Sequence, residues 1–263
     1  MKRPTVFIGE MTNPQVEAFL REHDTVIVPV GSTEQHGPAG PTATDVLVPV
    51  EIARRVAGGI GALVAPQVSY GLSYAHKGFA CAFGLRIPTF MSVIEDLCLS
   101  FAEAGFRRII FLNGHFDNTY AIAYGCANAA ERLPKGCQAF PVSFWEGIPP
   151  REAGRFMGGE KGLHANAAEL SAIMAIDPGL VDLGEANIEV PHFPPTKTGS
   201  PGIHTAFFLT QPGSVWRITE SGTWGDAAKA TVELGRDFLE VAVKATVEMI
   251  EDIGRTFAEL PKR

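Results

Sequence analysis

A three-layer α/β/α sandwich built on a mainly parallel sheet is the α/β fold class that this sequence predicts, and three observations point to it. Short apolar runs rich in β-branched residues recur at 25–30, 62–68 and 108–112, and each reads as a strand buried on both faces. Longer stretches with helical spacing separate them. Parallel strands require that alternation, because their crossovers carry helices. No internal repeat or low-complexity linker divides the 263 residues, so one domain over 1–263 is expected.

The first run, 5–9, is short and apolar and predicts an opening strand. Thr12-Asn13-Pro14 is a helix start, a capping residue followed by proline in the first turn. The helix over 14–22 turns Val16, Phe19 and Leu20 to one face. After the strand at 25–30, the spacing of 46–56 predicts a buried helix stopped by Gly58-Gly59, and 62–68 a second buried strand. Residues 69–88 are rich in glycine and aromatics without clear periodicity, and irregular stretches of that length often form functional lids. A helix over 89–104 closes on Gly105 as its left-handed end, and the third strand covers 108–112. A small-residue helix over 119–132 and a strand near 138–144 follow. Another helix opens at His164 and runs to about Ile176. The proline, glycine and threonine of 183–225 predict surface loop, and 227–257 is one long helical pattern.

Composition narrows the functional class. Apolar residues make up 46% of the chain, which fits a packed core rather than disorder. The formal charge of -7 favours neither nucleic acid nor an anionic membrane surface as partner. No leader-like segment opens the chain, and no apolar run reaches the roughly 18 residues of a membrane span. A soluble, cytoplasmic protein acting on a small molecule is expected. Cys81, Cys98, Cys126 and Cys137 form no C-x-x-C pair and are expected as small buried apolar side chains.

Chemistry concentrates at two strand ends. The stretch Gly31-Ser32-Thr33-Glu34-Gln35-His36-Gly37-Pro38 follows the first buried strand, with Asp45 nine residues after His36. Asn113-Gly114-His115-Phe116-Asp117-Asn118 follows the third. In open parallel sheets, ligands bind beyond the carboxyl ends of the strands. Glu34 and His36, like His115 and Asp117, stand two apart, which on extended backbone aims both side chains at one point. Asp45 opens a helix, where the dipole also favours a carboxylate. Singly, each has an ordinary reading: Asp45 as a helix cap, Glu34 as an arginine partner, His115 as a turn residue. Together they are the oxygen and nitrogen ligands of zinc or manganese. Five exceed what one tetrahedral zinc needs. They suit two divalent metals about 3.5–4 Å apart that share a carboxylate and activate a water.

These motifs carry a family resemblance. The stretch 31–38 with Asp45, Asn113-Gly114-His115-x-x-Asn118, His164-Ala165-x-x-x-Glu169-x-Ser171 and Ser221-Gly222-Thr223-Trp224-Gly225-Asp226 together resemble the creatininase (creatinine amidohydrolase) family. The resemblance runs in the right order over most of the chain. It implies a hydrolase of lactams, formamides or related cyclic amides, with two divalent metals in an α/β/α fold and a homo-oligomeric, often hexameric, assembly. Carried over by motif position, Glu34, Asp45 and His115 would hold one metal. His36, Asp45 and Asp117 would hold the other, with Asp45 bridging. Creatininase has glutamate at the place of Asp117; many members have glycine there, and the glutamate matching Glu169 then completes the site. Glu169 is therefore a further candidate ligand. His164 matches the family's proton-shuttling histidine, since a neutral imidazole can take a proton from the attacking water and return it to the leaving nitrogen.

Departures from creatininase bear on the substrate. Trp145 matches an aromatic residue of the creatinine pocket, but Glu160 stands at the second tryptophan position and Leu163 where an acidic residue precedes the shuttle histidine. The family's usual His-x-x-Phe-Pro-Gly-Thr segment is rearranged around Ala75-His76-Lys77-Gly78-Phe79. Ser73, Tyr74, His76, Phe116 and Trp145 are the candidates for substrate contact, although each alone would serve equally in packing. The expectation is a metal-dependent hydrolase of a small cyclic or amide substrate other than creatinine. One alternative is hydrolytic C–C cleavage of a cyclic polyol diketone, as in the 3-dehydro-scyllo-inosose hydrolases of the family. A non-catalytic small-molecule-binding member is the other, and the filling of every ligand position speaks against it.

Overall fold

The computed structural model describes residues 5–156, 162–191, 197 and 202–259. In chain order the first elements are α1 (Asn13–Leu20), β1 (Thr25–Val30), β2 (Thr33–Glu34), α2 (Thr44–Ile60), β3 (Ala62–Val64), β4 (Ala82–Phe83), α3 (Ile87–Ala104) and β5 (Arg108–Asn113). They are followed by α4 (Thr119–Ala130), β6 (Gln138–Ser143), α5 (Pro150–Phe156), α6 (Ala167–Ile176) and β7 (Ile188–Glu189). The chain ends with α7 (Gly202–Thr210), α8 (Ser214–Ile218), β8 (Gly225–Asp226) and α9 (Val232–Glu259).

The central sheet has the order β3-β1-β5-β6, and every pair in it is parallel. Successive strand residues face opposite sides, so the apolar runs supply two cores. Val26, Val28, Val30, Ile109 and Phe111 pack against Phe90, Ile94 and Cys98 of α3 and Ile122 and Cys126 of α4. Ile27, Ile110, Leu112 and Val142 pack against Ile52 and Val56 of α2, Ala172 and Ile173 of α6, and Leu239 and Ala242 of α9. Helices thus cover both faces, which gives the expected sandwich. Burying each such aliphatic side chain contributes about 1.5–3 kcal/mol.

Several boundaries differ from the sequence reading. The opening strand at 5–9 shrinks to one bridge, Phe7 to Val64, and turns into a 3-10 helix at Ile8–Glu10. Gly58-Gly59 do not stop α2; it runs to Ile60 and ends on Gly61 in the left-handed conformation. The second strand is regular only at Ala62–Val64, with Val68 returning as a single bridge to Val30. Residues 69–88 form a fastened wall rather than a free lid. Thr33 Oγ1 donates to the Ser69 carbonyl at 2.8 Å, and the Leu72 N–H donates to Asn118 Oδ1 at 2.8 Å. Beta-strand β4 of that stretch pairs with β2. The stretch 183–225 holds α7, α8 and β7 within its described part, and β7 pairs with β8. Of the cysteines, Cys98 and Cys126 are buried, whereas Cys81 and Cys137 are half-buried, and all four are free thiols. No helix among the described residues is long and apolar enough to cross a membrane.

Candidate metal centre

Strands β1 and β5 end level, with Val30 opposite Asn113, and each gives way to a glycine. Close approach requires both glycines: a Cβ on Gly31 or on Gly114 would lie 2.3 Å from the Asp45 carbonyl oxygen. Both strand ends therefore abut the first turn of α2, which carries Asp45. Glu34, on β2, is completely buried. Its Oε1 lies 3.0 Å from His76 Nε2, 3.3 Å from His115 Nδ1 and 4.0 Å from His164 Nδ1. Asp45 places Oδ1 3.2 Å from His36 Nε2 and Oδ2 3.0 Å from His115 Nδ1.

These atoms are close but not aligned for hydrogen bonding. Glu34 Oε1, His36 Nε2, Asp45 Oδ2 and His115 Nε2 are all buried without a hydrogen-bond partner. Each such orphan costs about 1–3 kcal/mol. Two carboxylates and two imidazoles buried together form a donor set for a divalent cation of the zinc or manganese type. Three overlapping groups hold ligand atoms within 4.8 Å of one another: Glu34 with Asp45 and His115, His36 with Asp45 and Glu169, and Glu34 with His36 and His164. Asp45 belongs to the first two.

Burial opposes charge on every member, and the neighbours decide the outcome. Burial pulls the His36 imidazole down, but Asp45, Glu169 and Glu34 carry it up to about 9. Burial likewise lowers His115, and Glu34, Asp45 and Asp117 outweigh it to reach about 10. For Asp45, burial raises the carboxyl, yet His36 and His115 hold it well below the usual carboxylate range. Burial pushes Glu169 up to about 7 and raises Glu34 and Asp117. His76 falls to about 3 through burial and the charge on His115. Burial, with His76 and His36, holds His164 well below its usual value. Both His76 and His164 are thus neutral at pH 7.

His164 reaches the cluster through an unusual turn. Its backbone bridges Trp224, and Ala165 follows at φ 50°, the only positive φ outside glycine among the described residues. That strain, of order 1–3 kcal/mol, swings the chain into α6. There Asn166 accepts hydrogen bonds from the Ala168 and Glu169 N–H groups, and Glu169 answers at the Asn166 N–H, forming a capping box. A cavity of about 460 Å³ opens over the cluster. It touches Asp45, His76, His115, Asp117, His164 and Glu169, while its remaining described lining is mainly apolar, including Val48, Phe144, Trp145, Ile148 and Phe156.

The model of the creatininase (creatinine amidohydrolase) family matches residues 9–250. This chain belongs to the creatininase family. It is similar to creatinine amidohydrolase of Pseudomonas putida, 31% identical over 264 residues that take in 94% of this chain and 97% of that one. A 3-dehydro-scyllo-inosose hydrolase of Thermotoga maritima is 38% identical, but over 44% of this chain and 38% of its own length. A mycofactocin precursor peptide peptidase of Mycobacterium tuberculosis is 26% identical across 92% of this chain and 91% of its own. The family members matched are therefore hydrolases. Solved structures of creatininase superpose closely: a manganese form has a TM-score of 0.81 at 29% identity, covering 95% of this chain and 98% of that one. A mutant of the Zn-Zn type has 0.80 at 28% identity, with the same coverage.

Within this creatininase-family fold, the residues singled out from sequence separate into groups. Glu34, His36, Asp45, His115, His164 and Glu169 come together. Asp117 falls in none of the three groups. It lies on a 3-10 turn at Phe116–Asn118 instead of extended backbone, so spacing two no longer aims it with His115. Its Oδ2 accepts the Ala75 N–H at 3.4 Å and sits 3.9 Å from His115 Nε2. Of the substrate-contact candidates, His76, Phe116 and Trp145 line the cavity, and so does Leu163. Ser73 and Tyr74 are not among its lining residues: Ser73 Oγ donates to Glu34 Oε2 at 3.2 Å, and the Tyr74 ring lies under Lys77 Nζ. Glu160 lies outside the described residues. Sequence reasoning missed Asn118, whose side chain accepts the Leu72 N–H and donates to the Gly31 carbonyl, tying the wall to the strand end. Its place in the Asn-Gly-His-x-x-Asn motif was the available signal. Gln35, between two ligand-type residues, was missed as well.

Proposed function

We propose that this protein is a metal-dependent hydrolase that cleaves a C–N bond of an amide or cyclic amide with a substantial apolar part. The observation that carries the reading is the set of buried carboxylate and imidazole atoms, several of them unpartnered, that converge beneath the cavity. Glu34, Asp45 and His115 would hold one divalent ion, and His36, Asp45 and Glu169 a second, with Asp45 shared. Glu34, Asp45, Asp117 and Glu169 would together offset the charge of two such ions. Asp117 Oδ2, 3.9 Å from the unpartnered His115 Nε2, would draw in to orient that imidazole when it ligates through Nδ1. Zinc or manganese bound there would supply an acidified water and positive charge against the developing oxyanion. His164 Nδ1, facing the cluster, accepts the proton of the attacking water and returns it to the leaving nitrogen.

A second reading, C–C cleavage of a polyol ketone, draws on the local 38% identity to the inosose hydrolase. The apolar described lining favours the amide. Hydroxyl groups moved from water into that lining would lose hydration without gaining partners, at about 1–3 kcal/mol each. Creatinine itself is disfavoured by Leu163, an apolar cavity residue in place of an acidic one.

The test is to strip the protein with a chelator and assay amides, lactams, creatinine and cyclic polyol ketones before and after adding zinc or manganese. Amide turnover is expected to vanish on stripping and return with metal. Undiminished turnover by the stripped protein would sink the mechanism.

Metal uptake should also release protons. His36 and His115, at about 9 and about 10, are both protonated at pH 7 in the stripped protein, and an imidazole must lose its proton to ligate. Glu169, at about 7, is part-protonated as well, so about two to three protons are released per chain near pH 7. Affinity weakens as pH falls and levels off once pH passes the two values. Calorimetry in buffers of different ionisation enthalpy measures the release, and its absence at pH 7 would contradict this protonation scheme.

A further inference from the structure

Gln35 lies between Glu34 and His36 yet turns its side chain away from the orphaned atoms. It reaches two other buried histidines instead. The Gly37 N–H, which can only donate, lies 2.8 Å from Gln35 Oε1 and so fixes which end of the amide is oxygen. Nε2 then faces His76 Nδ1 at 2.9 Å, His164 Nε2 at 3.1 Å and the Gly222 carbonyl at 3.3 Å. An amide nitrogen has two hydrogens for these three atoms.

The remaining bond resolves the surplus. His164 Nε2 is also 2.7 Å from the Gln35 backbone carbonyl, which can only accept, so His164 carries its proton on Nε2. A protonated Nε2 cannot accept from the amide. The two amide hydrogens go to the Gly222 carbonyl and His76 Nδ1, which pairs both hydrogens of Gln35 Nε2 and leaves no clash of donors. His76 must then carry its proton on Nε2, the nitrogen that faces Glu34 Oε1 at 3.0 Å. The bare nitrogen of His164 is Nδ1, which faces the same oxygen at 4.0 Å. Gly222 is part of the device: its φ is +88°, and a Cβ there would lie 2.0 Å from Gln35 Oε1.

We propose that Gln35 is a positioning residue that sets the tautomers of two histidines, holding the His76 proton on Nε2, the nitrogen that faces Glu34, and leaving His164 Nδ1 as the bare nitrogen over the cluster. The side-chain amide sets the first and the backbone carbonyl the second. On the reading of Glu34 as a metal ligand, on which this functional consequence rests, His76 is reassigned from substrate contact to an outer partner that orients the ligand carboxylate.

Gln35→Glu tests this, because it keeps the shape and the acceptor for the Gly37 N–H but removes the donor. A carboxylate facing His76 Nδ1 pulls the proton onto that nitrogen. In two-bond proton–nitrogen spectra of the zinc-loaded protein, wild-type His76 and His164 should both carry the proton on Nε2. In Gln35→Glu, His76 should move its proton to Nδ1 while His164 stays as it was. With the amide found to be turned over, kcat should fall about 10- to 100-fold, with KM nearly unchanged. Most of that loss should disappear when the same change is made in a His76→Gln background. A wild-type His76 or His164 protonated on Nδ1, or a Gln35→Glu spectrum with His76 unmoved, overturns the proposal. Should the variant not fold, the wild-type spectrum decides. Wild-type protein that takes up no metal sinks the metal reading instead, and leaves the tautomer assignment to the spectrum of that protein.

Discussion

Asp45→Ala is expected to remove bound metal and to cut activity by about a thousandfold or more. Asp45 contributes to two of the three ligand groups, one oxygen approaching His36 and the other His115, so a single truncation opens both proposed sites. Metal stabilisation of a hydrolytic transition state is worth several kcal/mol, and each 1.36 kcal/mol is tenfold in rate. The fold should stand. Alanine is a better helix former than aspartate, and the carboxylate's interaction with the helix dipole is worth only about 0.3–1 kcal/mol. Gly31 and Gly114 approach the backbone carbonyl of residue 45, which the substitution leaves in place. Elemental analysis, turnover and a thermal melt together make the measurement. Full metal occupancy in a folded Asp45→Ala protein would remove the bridging role, and Asp45→Asn separates the charge from the volume.

What could be read from the sequence here is what depends on local chemistry. Strands β1 and β5 are legible because burial on both faces leaves them no polar positions, and the ligand-type residues of 31–38 lie at the end of such a run. The helix expected from His164 begins at Ala167 instead, behind an Asn166 cap whose box is complete within four residues and so was a local signal for that start. Illegible parts depend on contacts far apart in the chain. The choice between Asp117 and Glu169 turns on whether three residues after β5 stay extended or wind into a 3-10 turn, and the pairing of His115 with both geometries is locally permitted. The α8 helix hides in a proline- and glycine-rich stretch because its start is held from outside: the Gly213 and Val215 N–H groups donate to the Tyr74 and Ala75 carbonyls. Gln35 was invisible for a further reason. Its partners at positions 76, 164 and 222 come from three separate segments, and no spacing rule links them.

His164→Gln should lower kcat by about 10²- to 10⁴-fold, the usual worth of a positioned general acid–base group, while leaving metal content close to wild type. The ring lies between His36 and His76, with centroids 4.4 Å and 4.3 Å away, so it cannot swing without displacing one of them. Glutamine can still donate from its amide to the Gln35 carbonyl, the bond that His164 Nε2 makes at 2.7 Å, and so keeps the local fold. It cannot take up and release a proton near pH 7. Burial and the adjacent His76 and His36 hold the wild-type imidazole well below its usual value, and cations bound in the cluster would push it further the same way. The base is therefore bare at neutral pH, and with metal kept saturating against the weakening affinity, activity should persist below pH 6.5 and fall as pH approaches the depressed value. In His164→Gln that acid limb should flatten at the reduced rate. A variant with wild-type kcat would clear His164 of proton transfer. One that loses its metal along with its activity would instead make His164 a ligand, as its grouping with Glu34 and His36 allows.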